Sequence, residues 1–151
     1  VIATEDPYSR SFALFAVGKV HDPAVKEALP EVIGSLMHPD KEVRDSAARA
    51  LGKIAETVPA TQLGEDRRVE ILEALFRALS DVQPAVRAKA VRSLGKLVRA
   101  AYLSPAQEGR VRLVILRILG QDEAHEWDRA FIVRREAEEA LRHLDDRAQT
   151  T

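Results

Sequence analysis

Four histidines, His21, His38, His125 and His143, are the first residues to weigh for metal or proton chemistry. A helical metal site needs two ligands one turn apart, so that both imidazoles reach the same ion, and no pair here has that spacing. His21-Asp22 and His38-Pro39-Asp40 read as turn residues. In the string EAHEWDRAF, His125, Glu126, Trp127 and Asp128 stand together in what reads as a surface loop with an aromatic anchor, suited to folding back on the core or to binding. The paired carboxylates Glu138-Glu139 and Asp145-Asp146 fall on an exposed, highly charged stretch. Acid–base work needs burial or enforced proximity, so solvation is the role expected of them. The chain has no cysteine, which removes thiolate nucleophiles, thiolate zinc sites, redox pairs and disulfides. Gly18, Gly52 and Gly95 are isolated and build no phosphate loop. The expectation is a chain with no catalytic, cofactor-binding or metal residues.

What remains is charge at helical spacing. Lys89, Arg92, Lys96 and Arg99 recur at intervals of three and four residues, which puts all four on one face of one helix. Like charges one turn apart repel by only about 0.2–0.5 kcal/mol per pair, so such a face is tolerated. It reads either as a solvated face balanced by acidic neighbours or as a surface for an acidic partner.

The element carrying this stripe is written several times. From Arg44 the chain reads VRDSAARALGKI across Val43–Ile54, and from Arg87 it reads VRAKAVRSLGKL across Val86–Leu97. Ser9–Val20 gives SRSFALFAVGKV, and a divergent copy starts at Arg134, with Arg142 where the others have glycine. The arginines are 34, 43 and 47 residues apart, so similar units are joined by loops of unequal length. These copies place second helices near 8–20, 43–57, 84–102 and 129–144 of one domain covering 1–151. The second, third and fourth copies follow another amphipathic stretch, such as RVEILEALFRAL, whose apolar residues recur with helical periodicity. Each of these three units is therefore a helical hairpin. Small residues at Ala47, Ala50, Ala90 and Ala137 let neighbouring helices approach closely, while leucine and isoleucine fill the remaining space. Pro84 and Pro105 suit first helical turns, Ser104 suits a cap, and Thr57–Asp66 is a longer connection with room for a short turn. A single hairpin cannot bury its apolar face, so neighbours must stack.

HPDKEVRDSAARALGKI and SDVQPAVRAKAVRSLGKL resemble the HEAT repeat family and its armadillo-like relatives, with the likeness strongest over Leu29–Leu97. The resemblance implies an all-α, right-handed α-solenoid of about three to four stacked hairpins, with the second helices lining the concave surface. It also implies structural roles for Asp40 with Arg44 and for Asp81 with Arg87. The departures are Ser9-Arg10 in place of Val-Arg and the insertion GQDEAHEWDRAF before Arg134.

On that surface, equivalent positions give Phe12, Phe15, Lys19 and Asp22 in the first copy and Ser46, Arg49, Lys53 and Glu56 in the second. Lys89, Arg92, Lys96 and Arg99 follow, then Glu136, Glu139, His143 and Asp146. The stripe grades from apolar through mixed and basic to acidic. Candidate partner-binding residues are Arg49, Lys53, Lys89, Arg92, Lys96 and Arg99, with Phe12 and Phe15 as an apolar docking pair. Phe12 and Phe15 sit on a helix with no partner before it, which fits either a terminal cap or, since the chain begins at Val1 rather than methionine, a solenoid interrupted by excision.

The favoured reading is a non-catalytic scaffold or adaptor holding an acidic or extended segment of a protein partner. A nucleic-acid-binding domain, including a HEAT-like DNA glycosylase, and an accessory domain of a larger enzyme or assembly are the alternatives. Lysine and arginine total 23 against 24 acidic residues, so there is no global field favouring nucleic acid or anionic lipid. No apolar run is long enough to span a bilayer and the start lacks signal-peptide character, so no membrane is expected and a cytoplasmic setting is.

Overall fold

The computed structural model describes residues 23–150, and every element in it is helical. In chain order these are α1 (Pro23–Gly34), a 3-10 turn (Ser35–Met37), α2 (Lys41–Thr57), the short α3 (Ala60–Leu63), α4 (Glu65–Ala78), α5 (Pro84–Arg99), α6 (Pro105–Ile118) and α7 (Phe131–Thr150). Three hairpins result: α1 with α2, α4 with α5, and α6 with α7. The second helices α2, α5 and α7 stack side by side and make the most extensive contacts of the described structure.

Local chemistry fixes the helix ends. The Asp40 carboxylate accepts from the Glu42 backbone N–H at 2.7 Å and caps α2. Ser104 and Gln107 form a reciprocal capping box at the start of α6, and Pro84 and Pro105 occupy first-turn positions where the missing N–H costs little. α5 stops short of the expected residue 102 because Ala101 turns into the left-handed region at φ 58°, letting the Tyr102 N–H return to the Leu97 carbonyl at 3.0 Å. α7 starts two residues later than expected and runs on to Thr150 rather than ending near 144. Its last turns are tied back to α6 by Arg147–Glu108 at 3.2 Å and Arg112–Asp145 at 2.9 Å. The connection after α2 does contain a short turn, α3. The helix expected near 8–20, with Phe12 and Phe15, lies outside the described residues.

The core is one continuous cluster. Val43, Ala47, Leu51 and Ile54 of α2, Ile71 and Leu75 of α4, Ala90, Leu94 and Leu97 of α5, Val111 and Ile115 of α6, and Val133 and Ala137 of α7 are all buried within it. The alanines mark the closest helix approaches, as their size requires. Gly52 marks the tightest: a Cβ there would lie 2.5 Å from Ser93 Oγ, which donates to the Ala48 carbonyl across the α2–α5 contact at 2.6 Å.

The turn arginines are structural, but their partners are displaced by one unit from those the resemblance implied. Arg44 does not pair with Asp40. It donates from Nε and Nη2 to Asp81 of the next hairpin, at 2.8 and 3.3 Å. Arg87 likewise reaches past its own Asp81 to Asp128, at 2.9 and 3.1 Å. The reason lies in the turn. Six residues before each arginine, a backbone carbonyl accepts from its Nη1, namely that of His38 for Arg44, Asp81 for Arg87 and Asp128 for Arg134. This bond clamps the guanidinium against its own turn and leaves the Nε–Nη2 edge facing the next one. Asp81 and Asp128 in turn accept the N–H two residues on, from Gln83 and Ala130. The insertion before α7 thus supplies a rung of this ladder.

Candidate functional site: the charged groove on the second helices

Close stacking of α2, α5 and α7 brings their outward charged rows into register. Arg49, Lys53, Lys89, Arg92 and Lys96 surround one small recess between α2 and α5. Lys53, Arg92, Lys96 and Arg99 continue into a groove of about 610 Å³ whose other wall is α7, with Arg135, Glu136, Glu139, Arg142 and His143. All six residues expected to contact a partner therefore share one surface. Phe12 and Phe15 fall outside the described residues.

That surface is partly neutralised by its neighbours. Lys89 pairs with Asp45 at 3.3 Å, and Lys96 pairs with Glu56 at 3.0 Å, a carboxylate it shares with Lys53 at 3.4 Å. Burial works against the Glu56 charge, but hydrogen bonding and attraction from Lys96 and then Lys53 win and hold its carboxyl below the usual range. Burial lowers the Lys96 ammonium, with Lys53 and Arg92 pushing the same way and Glu56 opposing. On α7, hydrogen bonding to Arg142 keeps the Glu139 carboxyl low, with further help from the Arg142 and Arg99 charges. His143 is pushed down first by burial and then by the Arg99 guanidinium, which favours its neutral form.

Three cations of the groove, Arg92, Arg99 and Arg135, are exposed and form no ion pair among the described residues. Arg92 and Arg99 lie one two-turn interval apart on α5. Across the recess and groove, eight lysine and arginine side chains face three glutamates. The sequence reading missed Asp45, Arg135 and Arg142. Asp45 sits one position off the stripe, where only the rotation of α2 against α5 reveals its reach. Arg142 carried a signal, since it replaces the glycine of the other copies.

Among the described residues no group of three or more histidine or acidic side chains could hold a metal ion, and no helix is long and apolar enough to cross a membrane. Stacked hairpins joined by an arginine–aspartate ladder, with charge collected on the second-helix face, define an α-helical solenoid. A family model described as HEAT repeats matches residues 1–63, and a HEAT repeat model matches residues 71–101. The chain belongs to the HEAT-repeat family. No curated protein matches it. It is similar in fold to crystal structures of two engineered proteins from the Northeast Structural Genomics Consortium, at TM-scores of 0.66 and 0.60 and 18% identity to each. The matches cover 95% of this chain and 59% and 36% of those proteins, so the chain spans little more than half the length of the first.

Proposed function

We propose that this chain is a non-catalytic scaffold that holds an acidic, extended segment of a protein partner on its second-helix face, in a cytoplasmic setting. HEAT repeats commonly serve as helical scaffolds for protein interaction, which supports the broad class. The observation that carries the specific reading is the cationic excess of the groove, with Arg92 and Arg99 exposed and making no ion pair among the described residues. A carboxylate arriving there breaks no existing bridge. Arg49, Lys53, Lys89 and Lys96 add field from the flank, while Lys89 and Lys96 also hold α5 to α2. An extended segment suits the groove because it can present successive carboxylates along α5 without having to fold first.

The test is fluorescence anisotropy with a labelled peptide of alternating glutamate and serine, run beside a lysine–serine control. Arg92→Glu with Arg99→Glu should weaken capture by roughly tenfold or more, with binding falling as salt is raised. These substitutions spare the Lys89 and Lys96 bridges, so folding is not the variable. Undiminished capture would refute the site, and preference for random duplex DNA over the acidic peptide would refute the choice of partner.

A further inference from the structure

The charged row on α5 alternates between cations that are already bridged and cations that are not. Lys89 is held by Asp45 and Lys96 by Glu56, while Arg92 and Arg99 are exposed and form no ion pair among the described residues. The two arginines are seven positions apart on one unbroken helix. At a rise of about 1.5 Å per residue their Cα atoms stand about 10.5 Å apart along the axis. Seven residues complete two turns to within about 20°, so both side chains leave the helix along nearly the same line.

The walls beside this line set the direction of an occupant. On α7 the groove presents Glu136 and Glu139, and Arg142 is already bound to Glu139, which leaves Arg135 to add field from that side. On α2 the Glu56 carboxylate serves both Lys53 and Lys96. An acidic chain crossing from helix to helix would bring its carboxylates against these glutamates. A chain running along α5 meets two unbridged cations in succession and passes the bridged Lys96 between them.

We propose, resting on the acidic-segment reading of this groove, that its occupant is a polyproline II stretch with a carboxylate at every third residue, laid along α5 with two carboxylates on Arg92 and Arg99. Backbone geometry selects this form. Polyproline II rises about 3.1 Å per residue with three residues per turn, so positions i and i+3 share a face about 9.3 Å apart, close to the arginine spacing. A β-strand puts same-face residues about 6.8 or 13.6 Å apart, missing that spacing by about 3 Å or more in either direction. A strand also needs a sheet edge to pair its backbone, and every element among the described residues is helical. Polyproline II makes no backbone ladder and keeps its amides in water. Its two intervening residues turn away from α5, so neither has to break the Lys96–Glu56 bridge.

The test compares labelled peptides of equal length and charge that carry glutamates at every second, third or fourth residue in the same proline–serine frame, titrated into the whole chain at low salt. The every-third peptide should bind about fivefold or more tightly than either of the others, the worth of one further exposed ion pair brought into register. That advantage should vanish with an Arg92→Gln or an Arg99→Gln chain whose helical signal is intact, and shrink when glycine replaces the prolines of the peptide. Equal affinity for all the spacings, with Arg92→Glu and Arg99→Glu together still weakening capture, would overturn the spacing and leave the acidic-segment reading standing. Capture of none of the peptides would overturn both.

Discussion

Asp128→Asn should destabilise the protein by about 2–3 kcal/mol at neutral pH, a figure set by burial more than by bond length. The Asp128 carboxylate accepts from Arg87 at 2.9 and 3.1 Å and from the Ala130 N–H at 2.9 Å, with the Arg87 and Asp128 side chains only 20% and 14% exposed. An asparagine keeps the shape and can keep the Ala130 bond, but it loses the charge and turns a donor toward Arg87. Breaking a fully buried pair costs about 3–5 kcal/mol and an exposed one about 0–1. The retained Arg87 bond to the Asp81 carbonyl and the residual exposure place this pair below the buried limit. For a domain of this size the loss lowers the melting midpoint by roughly 5–10 °C. Urea unfolding followed by far-UV circular dichroism measures it, with Glu73→Gln as the control. Glu73 binds Arg110 through two shorter bonds of 2.8 Å, yet the two side chains are 36% and 54% exposed, so its loss should cost less than about 1 kcal/mol. Equal costs for the two variants, or a negligible cost for Asp128→Asn, would refute the reasoning. The pH dependence has a definite sign. Burial raises the Asp128 carboxyl, but hydrogen bonds from Arg87 and Ala130 and the Arg87 and Arg134 charges lower it further, so the net shift is downward. Its stabilisation is present above the unfolded value of about 3.9 and is lost as pH falls through the lower folded value, where the gap to Asp128→Asn closes.

Gly52→Ala should destabilise by about 1–2 kcal/mol, because overpacking against Ser93 outweighs the helix-propensity gain of about 1 kcal/mol. Gly109→Ala, in α6 with no atom within 4 Å of the added Cβ, should instead stabilise by about 0.5–1 kcal/mol, and urea midpoints distinguish the two. The Tyr102 hydroxyl is buried and donates to the Val58 carbonyl, and burial pushes its pKa up to about 12 against a small opposing effect of Arg68. Its contribution is therefore fully present below the unfolded value of about 10 and lost as pH rises toward the folded one. In a Tyr8→Phe background, tyrosinate absorbance should follow Tyr102 alone and titrate well above a free tyrosine; titration near the free value would refute its burial.

How far the fold was legible depends on how local each signal is. Ala47, Ala90 and Ala137 recur at fixed offsets from the turn arginines, and small residues at that register have one physical use, close helix packing, so the stacked hairpins could be read directly. The ladder was only half legible. Asp40 lies four residues before its arginine and Asp81 six, and nothing local says that the first caps a helix while the second serves the preceding unit. The shared spacing of Asp81–Arg87 and Asp128–Arg134 was the available clue, obscured by the insertion. The basic row on α5 followed from helical geometry alone. Its pairing with Asp45 and Glu56 did not, because the rotation of one helix against another is set by side chains from both.

The central claim, that the groove between α5 and α7 receives an acidic extended segment, is tested most directly by an amide-resolved NMR titration of the whole chain with the glutamate–serine peptide. The account predicts shift changes clustered at Arg92, Lys96 and Arg99 on α5 and at Arg135, Glu139 and Arg142 on α7, the residues that line the groove. Changes centred instead on the turns around Met37 and Val82, or no saturable change at all, would contradict it.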